Sequence, residues 1–331
     1  MGTSFNRIAF LFALAALAPA SQLKGQTAQT RAKVSSDLPS YTPATALQGS
    51  VEIWGTDALS DLGDEWHKVF RQYHPEANFT YVPKLTHEAV KELVEGTRPM
   101  IITAREMSPD EIKAFQTKFG YMPMRIPVCL DAIIVFVHRN NPLASISMEQ
   151  LDAIYSKDRL GGAKTPVVLW NDLKVRGDLG KRPINAYARA EGAATRDAFK
   201  NSVLLKGEYR PGIIPRNDAS GLAEAVITDE NGIAFGSLAS WYAGVKVLPV
   251  IPYNTTDARF PNQDNVTTSR YPMPRLYYAY VNRAPGKPLD PAVNETLHFI
   301  LSREGQSAVA DVGILPAPME FLTIALKRLD R

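Results

Sequence analysis

Arg189-Ala190-Glu191-Gly192-Ala193-Ala194-Thr195-Arg196 is the stretch around which the rest of the chain reads as a fold. It follows a short strand-like run, Pro183-Ile184-Asn185-Ala186-Tyr187-Ala188, and opens a helical pattern over residues 195–205 that Gly207 closes. A strand, a turn of small residues and a helix N-terminus together make an anion site. Unpaired backbone N–H groups point outward there, and the positive end of the helix dipole adds to them. Arg189 and Arg196 flank the turn with guanidinium groups able to grip an oxyanion through paired hydrogen bonds. Taken alone, the stretch is better explained as an ordinary strand-to-helix turn with solvated arginines. The case for a site comes from other stretches that point at the same ligand.

A second unit of the same kind opens the folded part. Ser50-Val51-Glu52-Ile53-Trp54 reads as a strand, and Gly55-Thr56-Asp57-Ala58-Leu59-Ser60 turns it into a helix that buries Leu62, Trp66, Val69, Phe70 and Tyr73. Thr86 is expected to cap the next helix, with Gly96 as its stop. Ser108-Pro109-Asp110-Glu111 and Ser147 with Gln150 are capping boxes that open two further helices. Residues 126–137 form the longest apolar run, suited to a strand buried on both faces and long enough to cross between lobes. Residues 276–281 are the natural return crossing. Strands and helices alternate throughout, which predicts an α/β architecture with mostly parallel sheets, helices on both faces and ligands at strand C-terminal ends.

Composition narrows the function classes. The 331 residues exceed one ordinary domain and suit two lobes. A formal charge of +3 is too small to point to nucleic acid or an anionic membrane. No His-rich or Cys-rich cluster suggests a metal, and no cofactor is expected. Cys129, the single cysteine, lies in the long apolar run and is expected to be a buried, inert thiol. Arg7, the apolar residues 8–17 and Ala18-Pro19-Ala20 have the form of a cleaved secretory signal over residues 1–20. Residues 21–48 are polar, without apolar period, and read as a flexible leader. The remaining divisions are a first lobe over 49–130, a second over 131–274, a return to the first over 275–317, and an amphipathic C-terminal surface helix over 318–331.

With these stretches in view, the chain resembles the periplasmic phosphate-binding proteins of ABC transporters, within the two-lobed type II solute-binding fold. Gly55-Thr56-Asp57-Ala58-Leu59, Glu95-Gly96-Thr97, Leu130-Asp131-Ala132-Ile133-Ile134-Val135 and Asn141-Pro142-Leu143 carry the likeness. So do Arg189-x-x-Gly192-x-x-Thr195-Arg196, Gly232-Ile233-Ala234-Phe235-Gly236 and Leu301-Ser302-Arg303-Glu304-Gly305-Gln306, in that order along residues 49–316. The resemblance implies that two lobes clamp phosphate or a related oxyanion with backbone N–H groups, loop hydroxyls and one arginine. It implies delivery to the membrane permease of an ABC importer, by a monomer released into the periplasm or medium. Carried over position by position, it gives Thr56 and the Ala58 backbone, Thr86, Arg189, the backbone of Ala193 and Ala194, and Thr195, with Asp57 and Arg105 beside them.

Three departures accompany it. The third loop reads Gly192-Ala193-Ala194-Thr195 where the family has Gly-Ser-Gly-Thr, Lys84-Leu85-Thr86-His87-Glu88 replaces a Gly/Ser-rich run, and Ala104 stands where some members place a proton-accepting Asp. Each lost hydroxyl removes a charge-assisted hydrogen bond, about 1.5–3 kcal/mol where the partner is ionised, unless Lys84, His87 or Arg105 compensates. Two other readings of the fold stand beside transport: a sensor or scaffold binding another anion or none, and a hydrolase using the interlobe cleft. Against the hydrolase, no Gly-x-Ser-x-Gly turn occurs and the five histidines lack metal spacing. His67 and His74 fall in a polar helical pattern and are expected to be solvated. Asp131 reads as a hydrogen-bonded buried carboxylate near the crossing between lobes.

Overall fold

Strands and helices alternate along residues 31–330, the part of the chain that the computed structural model describes. Residues 1–30, and with them the signal segment and the start of the leader, lie outside the described residues. β1 (Gly49–Thr56) leads through a 3-10 turn over Asp57–Leu59 into α1 (Ser60–Phe70). Then come β2 (Ala77–Lys84), α2 (Thr86–Glu95), β3 (Met100–Thr103) and α3 (Pro109–Phe119). The long β4 (Met124–His138) follows, then β5 (Ile146–Ser147), α4 (Met148–Tyr155) and α5 (Gly177–Gly180). β6 (Asn185–Arg189), α6 (Ala194–Ser202), β7 (Ile214–Arg216), α7 (Ala219–Thr228) and β8 (Gly232–Ser237) form one alternating run. β9 (Val245–Leu248), β10 (Val250–Ile251), α8 (Gln263–Thr267) and β11 (Pro274–Val281) complete the middle. α9 (Pro291–Leu301), α10 (Arg303–Asp311), β12 (Leu315–Pro316) and α11 (Met319–Leu329) end the chain.

β4 organises the packing. Its first half, Met124 to Ala132, pairs antiparallel with β11; its second half, from Ile133 on, pairs antiparallel with β8 and β9. The main path through the sheet is therefore β2-β1-β3-β11-β4-β8-β6-β7, parallel toward both ends and antiparallel where β4 and β11 run. Each half of this strand packs into its own apolar core, and a third, smaller core gathers Ile101, Phe115, Tyr278 and Tyr280. Of the two larger cores, one gathers Ile133 to Val137 with Tyr155, Phe199 and Phe235; the other gathers Ile126 to Cys129 with Trp66, Phe70, Phe79, Tyr277 and Phe299. In the first, Phe199 and Phe235 stack at 3.8 Å between ring centres, a contact worth about 0.5–1.5 kcal/mol beyond its buried area. Cys129 is buried, and burial pushes its thiol well above the ordinary range.

The helix starts follow local chemistry. Ser108 accepts from Glu111 N while Glu111 Oε2 accepts from Ser108 N, and Ser147 and Gln150 do the same at α4. Gly96 stops α2 in the left-handed region at φ 75°. Two boundaries differ from expectation. α6 ends at Ser202 rather than running to 205, because Leu205 and Lys206 turn to φ 51° and 71° and break the helical ladder. Thr86 is the first residue of α2 rather than its cap; Leu85 holds the cap position, and the Thr86 hydroxyl has no partner.

The reading of residues 21–48 as a flexible leader does not hold from residue 32 onward. Ala32 is buried in one core, while Leu38, Tyr41 and Leu47 are buried in the other. Polar bonds fix the strap between them. Arg31 pairs with Asp311 at 2.6 Å, and Lys33 N donates to Gln263 Oε1 while Gln263 Nε2 donates to Lys33 O. Arg303 donates to the carbonyls of Leu38 and Ser36. A polar composition hid four apolar residues that reach two cores without sharing a period.

His74, expected in solvent, is buried beneath this strap. Tyr41 Oη donates to Glu295 Oε2 at 2.7 Å and lies 2.6 Å from His74 Nε2, while Leu47 N donates to His74 Nδ1. Nδ1 is thus an acceptor, which requires a neutral ring. Burial holds His74 below its ordinary value near 6.5, against the raising effect of Glu295. The unfolded chain takes up this proton first as pH falls. The contribution of His74 is therefore complete above pH 6.5 and is lost as pH drops toward the folded value. Thermal melts between pH 7.5 and 5.5 should show the midpoint falling, and His74→Gln should flatten that fall. Each tenfold difference in proton affinity corresponds to about 1.4 kcal/mol. An identical slope in the variant would remove His74 from the account.

Candidate functional site

β6 delivers Arg189 to the sheet edge where the parallel strands end, and the turn beyond it needs a residue at positive φ. Gly192 supplies it at 81°. α6 then begins at Ala194 behind Ala193, and no side chain caps its first turn. The helix N-terminus therefore keeps donors free of protein side-chain acceptors. Of the two flanking arginines only one faces the cleft. Arg196 turns back, donating to Arg189 O at 2.9 Å and lying over the Tyr209 ring at 4.3 Å. Arg189 Nη2 donates to Asp57 Oδ2 at 2.7 Å and to Asn217 O at 2.9 Å, and its Nε is buried without a partner. Asp57 and Arg189 belong to elements on opposite sides of β4, so this pair spans the cleft.

The sequence-derived residues divide between two cavities. Asp57, Ala58, Arg189 and Thr195 line one of about 320 Å³, together with Ser60, Asn217, Asp218 and Ser240. Thr86, Arg105 and Ala194 line another of about 380 Å³ with His87, Ala104 and Arg275. Thr56 lines neither. It is fully buried, its hydroxyl accepts weakly from Ala58 N at 3.4 Å, and its carbonyl accepts from Tyr81 Oη at 2.8 Å. Gly55 and Gly63 make room for that tyrosine, since a Cβ on either would fall within 2.3 Å of its ring or hydroxyl. Ala193 is buried in the turn itself. Arg105 is spoken for by Glu111, which accepts from both of its Nη atoms at 2.8 Å. Lys84 lies over the Trp54 ring at 4.5 Å, outside both linings.

Between the cavities lies a group that sequence reasoning missed in part. Asp131 and Arg275 face each other across the β4–β11 ladder. Asp131 Oδ1 accepts from Leu238 N, and Oδ2 accepts from Arg275 Nε at 2.9 Å and Tyr277 Oη at 3.0 Å. Arg275 Nη1 reaches on to Thr195 Oγ1 at 3.2 Å. The carboxylate is thus structural, as its place in an apolar run suggested. Arg275 went unread because it sits at the start of an apolar strand, where one charge between Pro274 and Leu276 carries no pattern.

A two-lobed α/β fold with an arginine and an uncapped helix N-terminus in the cleft defines a solute-binding protein. The chain belongs to the PBP superfamily: the family model for the PBP superfamily domain matches residues 40–304. Within it the chain is PstS-like. The phosphate-binding protein PstS of Pseudomonas aeruginosa is 33% identical over 292 residues, covering 88% of this chain and 90% of that protein. Protein SphX of Synechococcus elongatus is 25% identical over 301 residues, covering 90% of this chain and 86% of that protein. Among solved structures, an ABC-type phosphate transport receptor from Vibrio cholerae shares the fold with a TM-score of 0.64 at 18% identity. The match covers 81% of this chain and all of that one, 100%.

Proposed function

We propose that this chain captures inorganic phosphate between its two lobes and presents it to the membrane permease of an ABC importer, without turning it over. The observation that carries the reading is Arg189, which lines one cavity with Thr195 of the uncapped first turn of α6 and keeps a buried, unused Nε. The resemblance to PstS over most of the chain supports the same ligand. Asp57 gives the pocket a preference. An oxyanion on Arg189 must present a protonated oxygen to this carboxylate, which hydrogen phosphate has and sulfate lacks at neutral pH. The lobes close by rotation about β4, whose two halves pair on opposite sides, and at the segment that enters β11. Secretion with loss of residues 1–20 places the protein in the periplasm or medium.

Calorimetric titration of the mature chain with phosphate, sulfate and arsenate tests the reading. Saturable binding of one phosphate per chain is expected, with sulfate at least tenfold weaker, about 1.4 kcal/mol. Absence of phosphate binding would hand the fold to a sensor or scaffold role.

A further inference from the structure

We infer that the hydroxyls of Ser240 and Tyr242 hold the oxyanion jointly with Arg189. The inference rests on the phosphate reading and deepens it. Ser240 ends the short 3-10 turn that follows β8, Leu238–Ser240, and Tyr242 stands two residues further on. Both line the cavity of about 320 Å³ that Arg189, Asp57 and Thr195 share. Ser240 is 2% exposed and Tyr242 8%. Neither hydroxyl makes a hydrogen bond with any described residue, and neither oxygen is sealed off as that of Thr86 is, so both open onto the cavity. A buried hydroxyl needs a partner, and a solute oxygen in this cavity supplies it.

The turn meets both halves of the site. Asp131 accepts from Leu238 N, and Ala239 packs against the same core as Ala58, the residue after Asp57. On the other side, Asn217 O accepts from Arg189 Nη2, and Asp218, next in the chain, lies close enough to Tyr242 to act on its phenol. Gly236 keeps the space clear, since a Cβ there would fall 2.8 Å from Ser240 Oγ. The charges explain why neutral donors are needed. Asp57, Asp61 and Asp218 line the cavity beside Arg189. Ionised carboxylates only accept, so they suit the protonated oxygen of hydrogen phosphate, and its bare oxygens need N–H or O–H donors. Ser60 and Ser220 line the cavity too, but their hydroxyls are spent on Asp57 O and Asp218 Oδ1. Burial, with Asp61 and Asp218 adding to it, pushes the Tyr242 phenol up to about 12, so it stays a donor at neutral pH. The two hydroxyls replace the donor lost where Ala193 stands in the turn before α6.

Ser240→Ala and Tyr242→Phe each delete a single oxygen and leave the packing in place. Inorganic phosphate is titrated by calorimetry into the mature chain carrying either substitution, with thermal melts confirming the fold. Each variant should bind phosphate at least about fivefold more weakly, the worth of one ordinary hydrogen bond. Ser220→Ala is the control: its hydroxyl lines the same cavity but is committed to Asp218, so its loss should stay below about fivefold. A folded Ser240→Ala or Tyr242→Phe chain within about fivefold of wild type overturns the inference, and so does a larger loss than that in Ser220→Ala. Arg189→Ala is run in parallel. If it weakens binding while Ser240→Ala and Tyr242→Phe do not, only the role of the turn falls; if the wild type binds no phosphate, the transport reading falls with it.

Discussion

Asp131→Ala should destabilise the protein by about 3–5 kcal/mol, the scale for breaking a buried ion pair by removing one partner. Three donors converge on this carboxylate: Leu238 N, Arg275 Nε and Tyr277 Oη. Alanine would strand all three in a site with no exposure to water, and would leave a buried guanidinium without its counter-charge. The position magnifies the effect. Asp131 sits where β4 passes from one half of the sheet to the other, and Leu238 belongs to the core on one side while Tyr277 belongs to the core on the other. Urea unfolding followed by tryptophan fluorescence measures the change in midpoint. A loss below about 1 kcal/mol, the net worth of an ordinary hydrogen bond, would mean that water fills the gap and the network is dispensable.

Arg189→Ala should weaken phosphate binding by about 2–5 kcal/mol, the cost of truncating one partner of a buried, hydrogen-bonded charge pair. Arg189→Lys should fall between, since it keeps the charge and loses the planar fork. Part of the guanidinium is already committed to Asp57 and Asn217, so its orientation is set within the protein. Restoring a hydroxyl by Ala193→Ser should tighten binding. Unchanged affinity in both Arg189→Ala and Ala193→Ser, by calorimetry, would show that the anion does not sit at this turn.

What the sequence discloses is what repeats locally. The capping boxes at Ser108 and Ser147, the Gly96 stop and the strand–turn–helix around Gly192 each depend on near neighbours in the chain, and each forms where it was read, apart from the earlier end of α6. The family follows from the order of such stretches. The parts that escape it depend on distant partners. Arg275 means nothing until β11 brings it opposite Asp131, 144 residues earlier. His74 looked solvated because the strap that covers it comes from residues with no period. Arg196 looked like a ligand because a side chain's direction is not written in its spacing; Tyr209 and the Arg189 carbonyl turn it away.

The strap over residues 31–48 also fixes an order of events. Its contacts reach across the chain: Arg31 to Asp311 spans 280 positions, and Tyr41 to Glu295 spans 254. Contacts of that sequence separation can form only once both ends of the loop have been synthesised. The residues that leave the ribosome early therefore dock late, after α9 and α10 exist to receive them. Until then Ala32 is missing from one core, Leu38, Tyr41 and Leu47 are missing from the other, and His74 faces water. A partly synthesised chain is thus held short of its native state by its own beginning, and completion of the C-terminal third is the event that lets both cores seal.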